Sequence, residues 1–291
     1  MIAFASNSLL CRAALKETRI DAATFTFVRV FSGAIALWLI TTMRNLKSVA
    51  AVYDRRDYSN GAHKTPLHGN WVSAFALFAY AAAFSFAYVD LSAGTGALLL
   101  FGAVQTTMIL SGFGKGERLD TIQIIGFVLA LSGLVMLVLP GLSAPPLIGA
   151  LLMLAAGVAW GIYSLRGQVK GQSGSDRDAV ATTTGNFLRA VPFAVAISVI
   201  TLPNVHLDSL GVFYAAISGA ITSGLGYVLW YAALPNLKAV SAATVQLSVP
   251  VLTATGGILL LGEPITLRYL FASVAVLGGI ALVMIEKNRP R

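Results

Sequence analysis

Few polar side chains interrupt the long apolar runs of this chain, and their types decide which chemistry is open to it. Asn7 sits in Phe4-Ala-Ser-Asn-Ser-Leu9, Gln105 heads Gln105-Thr-Thr107, and Gln246 and Ser248 stand in a later run. A primary amide in hydrocarbon is costly unless it faces protein or water. Asn7, Gln105 and Gln246 are therefore read as solute contacts or, alternatively, as interhelical hydrogen bonds. Ala76, Tyr80, Phe84 and Tyr88 recur at i, i+4 spacing, and so do Gly219, Ser223, Tyr227 and Tyr231, with Trp230 beside the last. Such spacing puts each set on one helical face. Amides and rings on facing helices suit recognition of a small solute by hydrogen bonding and stacking. The competing reading is ordinary packing, with Tyr88 and Tyr231 in an interfacial aromatic belt.

Arg29 and Arg189 are the only basic residues well inside apolar runs. An intramembrane charge is a functional hypothesis by default. Each lies about two turns from its helix start, where a long side chain snorkels or binds helix-end carbonyls, and that structural role is favoured. Glu117 and Glu263 sit at hairpin turns and are expected to cap the helix starts there, opposing the N-terminal dipole. Pro250 removes a backbone bond in mid-run and marks a hinge or a static kink.

What is missing narrows the chemistry further. No run carries a carboxylate in its middle; Asp21 and Asp90 lie at ends. That argues against cationic drugs and against a proton relay within the membrane, and favours neutral or zwitterionic solutes moved down their gradient. Gly112-Phe-Gly-Lys-Gly116 resembles a phosphate loop in composition only. His63, His68 and His206 lack metal spacing, and one cysteine excludes an intrachain disulfide or a thiolate cluster. No metal, no cofactor and no enzymatic activity is expected.

These residues need elements to hold them. The chain is 57% hydrophobic and 11% charged, with a mean hydropathy of +0.79; a soluble domain is about 25% charged. The sequence predicts helices near Ile2–Leu15, Asp21–Met43, Asn70–Val89, Leu91–Phe113, Thr121–Leu139, Leu147–Leu165, Ala179–Leu202, Leu207–Leu234, Lys238–Leu261 and Ile265–Ile285. Most have about the 20 residues needed to cross roughly 30 Å of hydrocarbon. The expected fold class is all-α, a polytopic membrane protein of ten transmembrane helices. The polar Tyr53–His68 segment reads as a solvated loop, and Pro140–Pro146 as a bridge.

The ten runs are two copies of five. Thr95–Leu139 lies over Ser241–Ile285 without gaps at a shift of 146, placing Gly116-Glu117 on Gly262-Glu263. Phe27-Val28-Arg29 lies over Phe187-Leu188-Arg189 at a shift of 160, Ser8–Arg12 over Ile162–Arg166 at 154, and Tyr88 over Tyr231 at 143. Loops of different length explain the differing shifts. The repeats are expected at 1–139 and 147–285. The counterpart of the first run begins upstream of the position that matches Met1, so a few upstream residues are expected. With no basic residues ahead of it, that run reads as a span and not as a cleavable signal.

Basic residues set the orientation. With the N-terminus cytoplasmic, fourteen fall in inside segments and only Arg12, Lys16, Arg19 and Arg268 outside. Both termini are therefore expected inside, and the net charge of +8 reports topology and anionic lipid, not nucleic acid. Five helices per copy thread the second copy upside down. Inverted repeats are what alternating-access carriers use, with a site near the midplane between the halves. A scaffold or an intramembrane enzyme, with a filled interior, is the reading from another class.

On these features the chain resembles the drug/metabolite transporter superfamily, in its ten-helix EamA-type branch. The resemblance rests on the two copies, on Leu261-Gly-Glu-Pro264 with the degenerate Gly116-Glu117, and on Phe-Val-Arg29 with Phe-Leu-Arg189. It implies a bacterial inner-membrane exporter of small metabolites. Phe4–Arg12 looks most like aromatic and broad-specificity amino-acid exporters. Carried onto this chain, the family cavity selects Asn7, Tyr80, Phe84, Leu98, Gln105, Trp160, Tyr163, Tyr227, Trp230 and Gln246. Small multidrug resistance proteins use a first-helix glutamate that this chain lacks, which leaves proton-coupled efflux as the alternative. The implied partners are a small solute and the lipid bilayer, and one chain is sufficient as a monomer.

Overall fold

The computed structural model describes residues 1–54, 67–114, 120–139, 144–168, 178–234, 246 and 248–283. Among them the secondary structure is entirely helical: α1 (Ile2–Glu17), α2 (Ala22–Asp54), α3 (Trp71–Tyr88), α4 (Ala93–Gly114), α5 (Thr121–Val138), α6 (Leu147–Gln168), α7 (Ala179–Ile200), α8 (Ser209–Ala233), α9 (Ser248–Leu261) and α10 (Leu267–Val283). Seven of these, α2 to α8, are long and apolar enough to cross a bilayer. The chain is a multi-pass membrane protein. The expected Tyr53–His68 loop falls largely outside the described residues, as do Glu117 and most of the Pro140–Pro146 bridge.

Short polar side chains start these helices. Asn70, Asp120, Asp178 and Asp208 each accept from first-turn backbone N–H groups of α3, α5, α7 and α8, and Asp120 and Gln123 form a reciprocal capping box. Each cap satisfies donors that no helical carbonyl can reach. Gly262, at φ +61°, ends α9 in the left-handed region that glycine tolerates.

Contacts between residues 1–139 and 147–283 come in pairs that exchange when the halves are swapped. Helix α4 packs on α6 as α9 packs on α1; α3 lies against α6 and α7 as α8 lies against α1 and α2; α2 pairs with α7, and α5 with α10. Two pairs of helices, α1 with α6 and α2 with α7, run in opposite directions. The C-terminal end of α1 meets that of α3 through Arg12 and the Tyr88 and Val89 carbonyls. By contrast, the C-terminal end of α6 meets the start of α3 through Arg166, Ser73 and Asn70. Thr41 faces Thr184 and Arg44 faces Asp178, so α2 and α7 are antiparallel. Along α5 and α10 the backbones approach closely at Gly126, Gly133 and Gly279, where a side chain would clash.

Candidate functional site

Arg29 projects from α2 into the middle of the molecule and is 1% exposed. Its Nε donates to Ser223 Oγ (3.0 Å) and its Nη2 to Tyr80 Oη (3.1 Å) and Tyr227 Oη (2.8 Å). The guanidinium carbon lies 4.8 Å from the Phe84 ring centre and 5.2 Å from that of Tyr80, within cation–π range. Nη1 is buried and has no hydrogen-bond partner. The favoured sequence reading, a snorkelling or helix-end arginine, is therefore wrong for Arg29. Spacing along one chain gives depth, but it does not say which way the side chain points around the helix.

Asn7 faces the same tyrosines from α1. Its Nδ2 donates to Tyr227 Oη (3.1 Å) and Tyr80 Oη (3.4 Å), while its Oδ1 accepts from Ser218 Oγ and from Thr222 Oγ1 (3.2 Å). Ser218, Thr222 and Ser223 belong to a stretch of α8, Ser218–Leu225, that is wound as a π-helix. Such widened turns are rare and are frequent at functional sites. Gly219 lets this stretch touch α2: a Cβ there would lie 2.0 Å from the Arg29 carbonyl oxygen. The sequence reading did not find the π segment. Its only signal is the run of small residues Ser218-Gly-Ala-Ile-Thr-Ser-Gly224.

Aromatic rings wall the cluster. Trp160 of α6 lies 4.6 Å from Tyr227, 5.0 Å from Tyr80, 5.4 Å from Phe4 and 5.5 Å from Tyr163, between ring centres. Trp230 packs on Phe4 and donates to Ser164 Oγ (3.4 Å); Tyr163 accepts from Asn186. Tyr88 and Tyr231 are not belt residues. They are buried and donate to the Ala93 and Tyr163 carbonyls. Leu98, Gln105 and Gln246 are buried as well. All ten residues singled out in the sequence are at most 5% exposed. Among the described residues, those expected to line an open pocket are packed against one another.

The two ends of the cluster are latched differently. At one end Arg12 Nε meets Glu263 Oε1 (3.1 Å), Glu263 Oε2 accepts from Ala93 N (2.7 Å), and Lys16 reaches the Leu261 carbonyl. Glu263 therefore caps α4 of the other half and not the helix that follows it, because Arg12 and the Gly262 turn aim it inward. At the other end the ion pair, Arg44–Asp178, is more exposed, and the remaining contacts have no carboxylate. Arg166 donates to Ser73 and Asn70, and Asn70 N donates to Asn186 Oδ1 (3.1 Å).

The profile of the EamA-like transporter family matches residues 1–139 and 147–285. This chain belongs to the EamA family, within the drug/metabolite transporter superfamily. Its members are transporters, so this EamA protein is a transporter and not an enzyme. An uncharacterized protein of Pseudomonas aeruginosa is 54% identical over 284 residues, covering 98% of this chain and 91% of that one. A protein of Escherichia coli K12 named probable amino-acid metabolite efflux pump is 27% identical over 234 residues, 75% of this chain and 76% of that one. A crystal structure at 17% identity superposes with a TM-score of 0.59 over 97% of this chain and 96% of the other, a likeness of fold alone.

Proposed function

We propose that this transporter exports amino acids, aromatic and other neutral ones, or similar small metabolites across a bacterial inner membrane. It works by alternating access, as a facilitator. The observation that carries this reading is the central cluster drawn from both halves: Asn7, Arg29 and Tyr80 from the first, and Trp160, Ser223 and Tyr227 from the second. A solute bound there touches both halves at once, and rocking them exposes it to one side or the other. The exchange of contacts between halves and the opposed directions of α1 and α6 and of α2 and α7 support two inverted repeats, 1–139 and 147–285, making ten spans. The basic-residue count supports cytoplasmic termini, an orientation in which the Arg12–Glu263 latch faces outward. The printed name of the Escherichia coli relative supports the solute class.

The test is counterflow. Proteoliposomes loaded with labelled threonine, methionine or phenylalanine are expected to release label faster with the protein than without. No acceleration for any amino acid would remove the proposal.

A further inference from the structure

The central cluster has donors to spare and too few acceptors. A guanidinium offers five N–H groups and accepts nothing. Three of those of Arg29 are used, and both on Nη1 point at no acceptor. Asn7 also turns its amide N–H groups toward the tyrosines, because its oxygen is held by Ser218 and Thr222. The two phenol oxygens, 3.2 Å apart, take all of this and bond to one another. One phenol proton of the pair can go to the other oxygen; the second has no acceptor in this ring of donors. The charge is uncompensated too. The ion pairs among the described residues are Arg12–Glu263 and Arg44–Asp178, and neither includes Arg29. Burying a charge is costly unless it is paired and hydrogen-bonded.

We propose that the cluster is a carboxylate site: the solute's carboxylate docks on the Arg29 guanidinium, taking the idle Nη1 face and the hydrogen bonds now absorbed by Tyr80 and Tyr227. An ionised carboxylate is an acceptor-only group with two oxygens and about four lone-pair directions, the complement of a fork of N–H donors. The two tyrosine oxygens stand side by side as its placeholders. They rotate away when it arrives, and then donate their own protons to it. Phe4, Trp160 and Trp230 provide an apolar wall for the rest of the solute. No described carboxylate pairs with Arg29 or stands ready for an ammonium, so an amine on the solute is not required. The inference rests on the transport reading for its solute but concerns binding, which does not depend on turnover.

The test is a matched series on purified protein in detergent: L-phenylalanine, 3-phenylpropionate, phenylalaninamide and phenethylamine. Binding is read from Trp160 and Trp230 fluorescence and from thermal stabilisation. The two carboxylates are expected to bind, with 3-phenylpropionate within about threefold of phenylalanine, and the amide and amine at least about tenfold more weakly, the loss of charge-assisted hydrogen bonds. Arg29→Gln is expected to weaken carboxylate binding by about tenfold or more, with Arg29→Lys in between. Equal binding of phenylalanine and its amide overturns the proposal, as does no binding by any member. Should Arg29→Gln fail to fold, the series on the unaltered protein decides alone. Carboxylate-selective binding without counterflow would retire the amino-acid export reading and leave this site standing.

Discussion

Arg29 and Arg189 occupy equivalent places in a repeated sequence, yet only one of them reaches the centre. Arg29 is sealed among Tyr80, Phe84, Ser223 and Tyr227. Those four are themselves two equivalent pairs, since the shift of 143 carries Tyr80 to Ser223 and Phe84 to Tyr227. Arg29 thus lies where the two halves meet and touches the same positions in each. Arg189 stays half-buried and turns back along its own helix, Nη1 donating to the Gly185 carbonyl at 2.9 Å. The favoured sequence reading of both arginines fails for Arg29, while the contact of Arg189 stays within its own helix. The matching stretches keep the residue and not the role, because the role is set by what stands opposite. Asn7, with its amide, has Gly161 as its counterpart, and Gly161 packs closely on Thr107.

The largest effect expected separates the two arginines. Arg29→Met is expected to lower counterflow by about ten- to a hundredfold, the loss of one to two charge-assisted bonds to the solute. The same variant should unfold no more readily than the parent, since an apolar side chain of similar volume replaces a buried charge lacking full compensation. Arg189→Met should leave transport within about twofold, because its carbonyl partner is local. Equal losses in the two variants would erase the distinction between halves.

Exchanging the first-helix pair sharpens the point. A Cβ on Gly161 would lie 2.9 Å from Thr107 Cβ and Cγ2. Gly161→Asn is therefore expected to destabilise by about 1–3 kcal/mol through overpacking, read as a fall in unfolding temperature. Asn7→Gly creates no clash. It should instead cost transport, by releasing Ser218 and Thr222 from α1. If Gly161→Asn is tolerated and active, the asymmetry between α1 and α6 is not steric.

The latches differ in burial: the Arg12–Glu263 pair is shielded, whereas Arg44–Asp178 at the other end is more exposed. Cys11, fully buried and next to Arg12, reports on the Arg12–Glu263 end. Glu263→Gln is expected to raise the maleimide labelling rate of Cys11 by about five- to tenfold, in keeping with about 1–1.5 kcal/mol for a partly buried charged contact. Asn70→Ala loosens the opposite end and should leave Cys11 labelling within about twofold. Similar acceleration by both would mean that the ends do not open independently.

The sequence shows the helices plainly, because apolar runs of span length leave the backbone no other way to satisfy itself in lipid. It also shows Asn7, Tyr80, Phe84 and Tyr227, through amide cost and i, i+4 spacing. What it hides is long-range. The azimuth of Arg29 follows from α3 and α8 packing on α2 from both halves. The inward aim of Glu263 follows from Arg12, 251 positions away. The π turn of α8 coincides with the close approach of Gly219 to the Arg29 backbone, a contact 190 positions apart that no local propensity encodes.

The smallest effect expected lies in the caps of the same two helices. Asp178 caps α7 and pairs across the halves with Arg44, whose side chain is 55% exposed. Asp21 caps α2 and also bridges the halves, accepting from Thr24 N, Thr24 Oγ1 and His206 N. Partial burial alone would raise the Asp21 carboxyl. The hydrogen bonds from the Thr24 side chain and from the His206, Thr24 and Ala23 backbones outweigh it and hold the group below its ordinary value. A carboxyl depressed in the folded state contributes stability that is present above its unfolded value of about 3.9 and is lost as pH falls through the folded value. The difference in unfolding temperature between the parent and Asp21→Asn should therefore be present at neutral pH and close below about pH 4. It should change little with salt, because backbone N–H donors are not screened as mobile charges are. The Asp178–Arg44 contribution, an exposed ion pair worth at most about 1 kcal/mol, should fade as salt rises. Two caps at the starts of matching helices with opposite sensitivities would place the divergence of the halves at their helix starts as well as at their arginines. Identical salt responses would confine it to the centre.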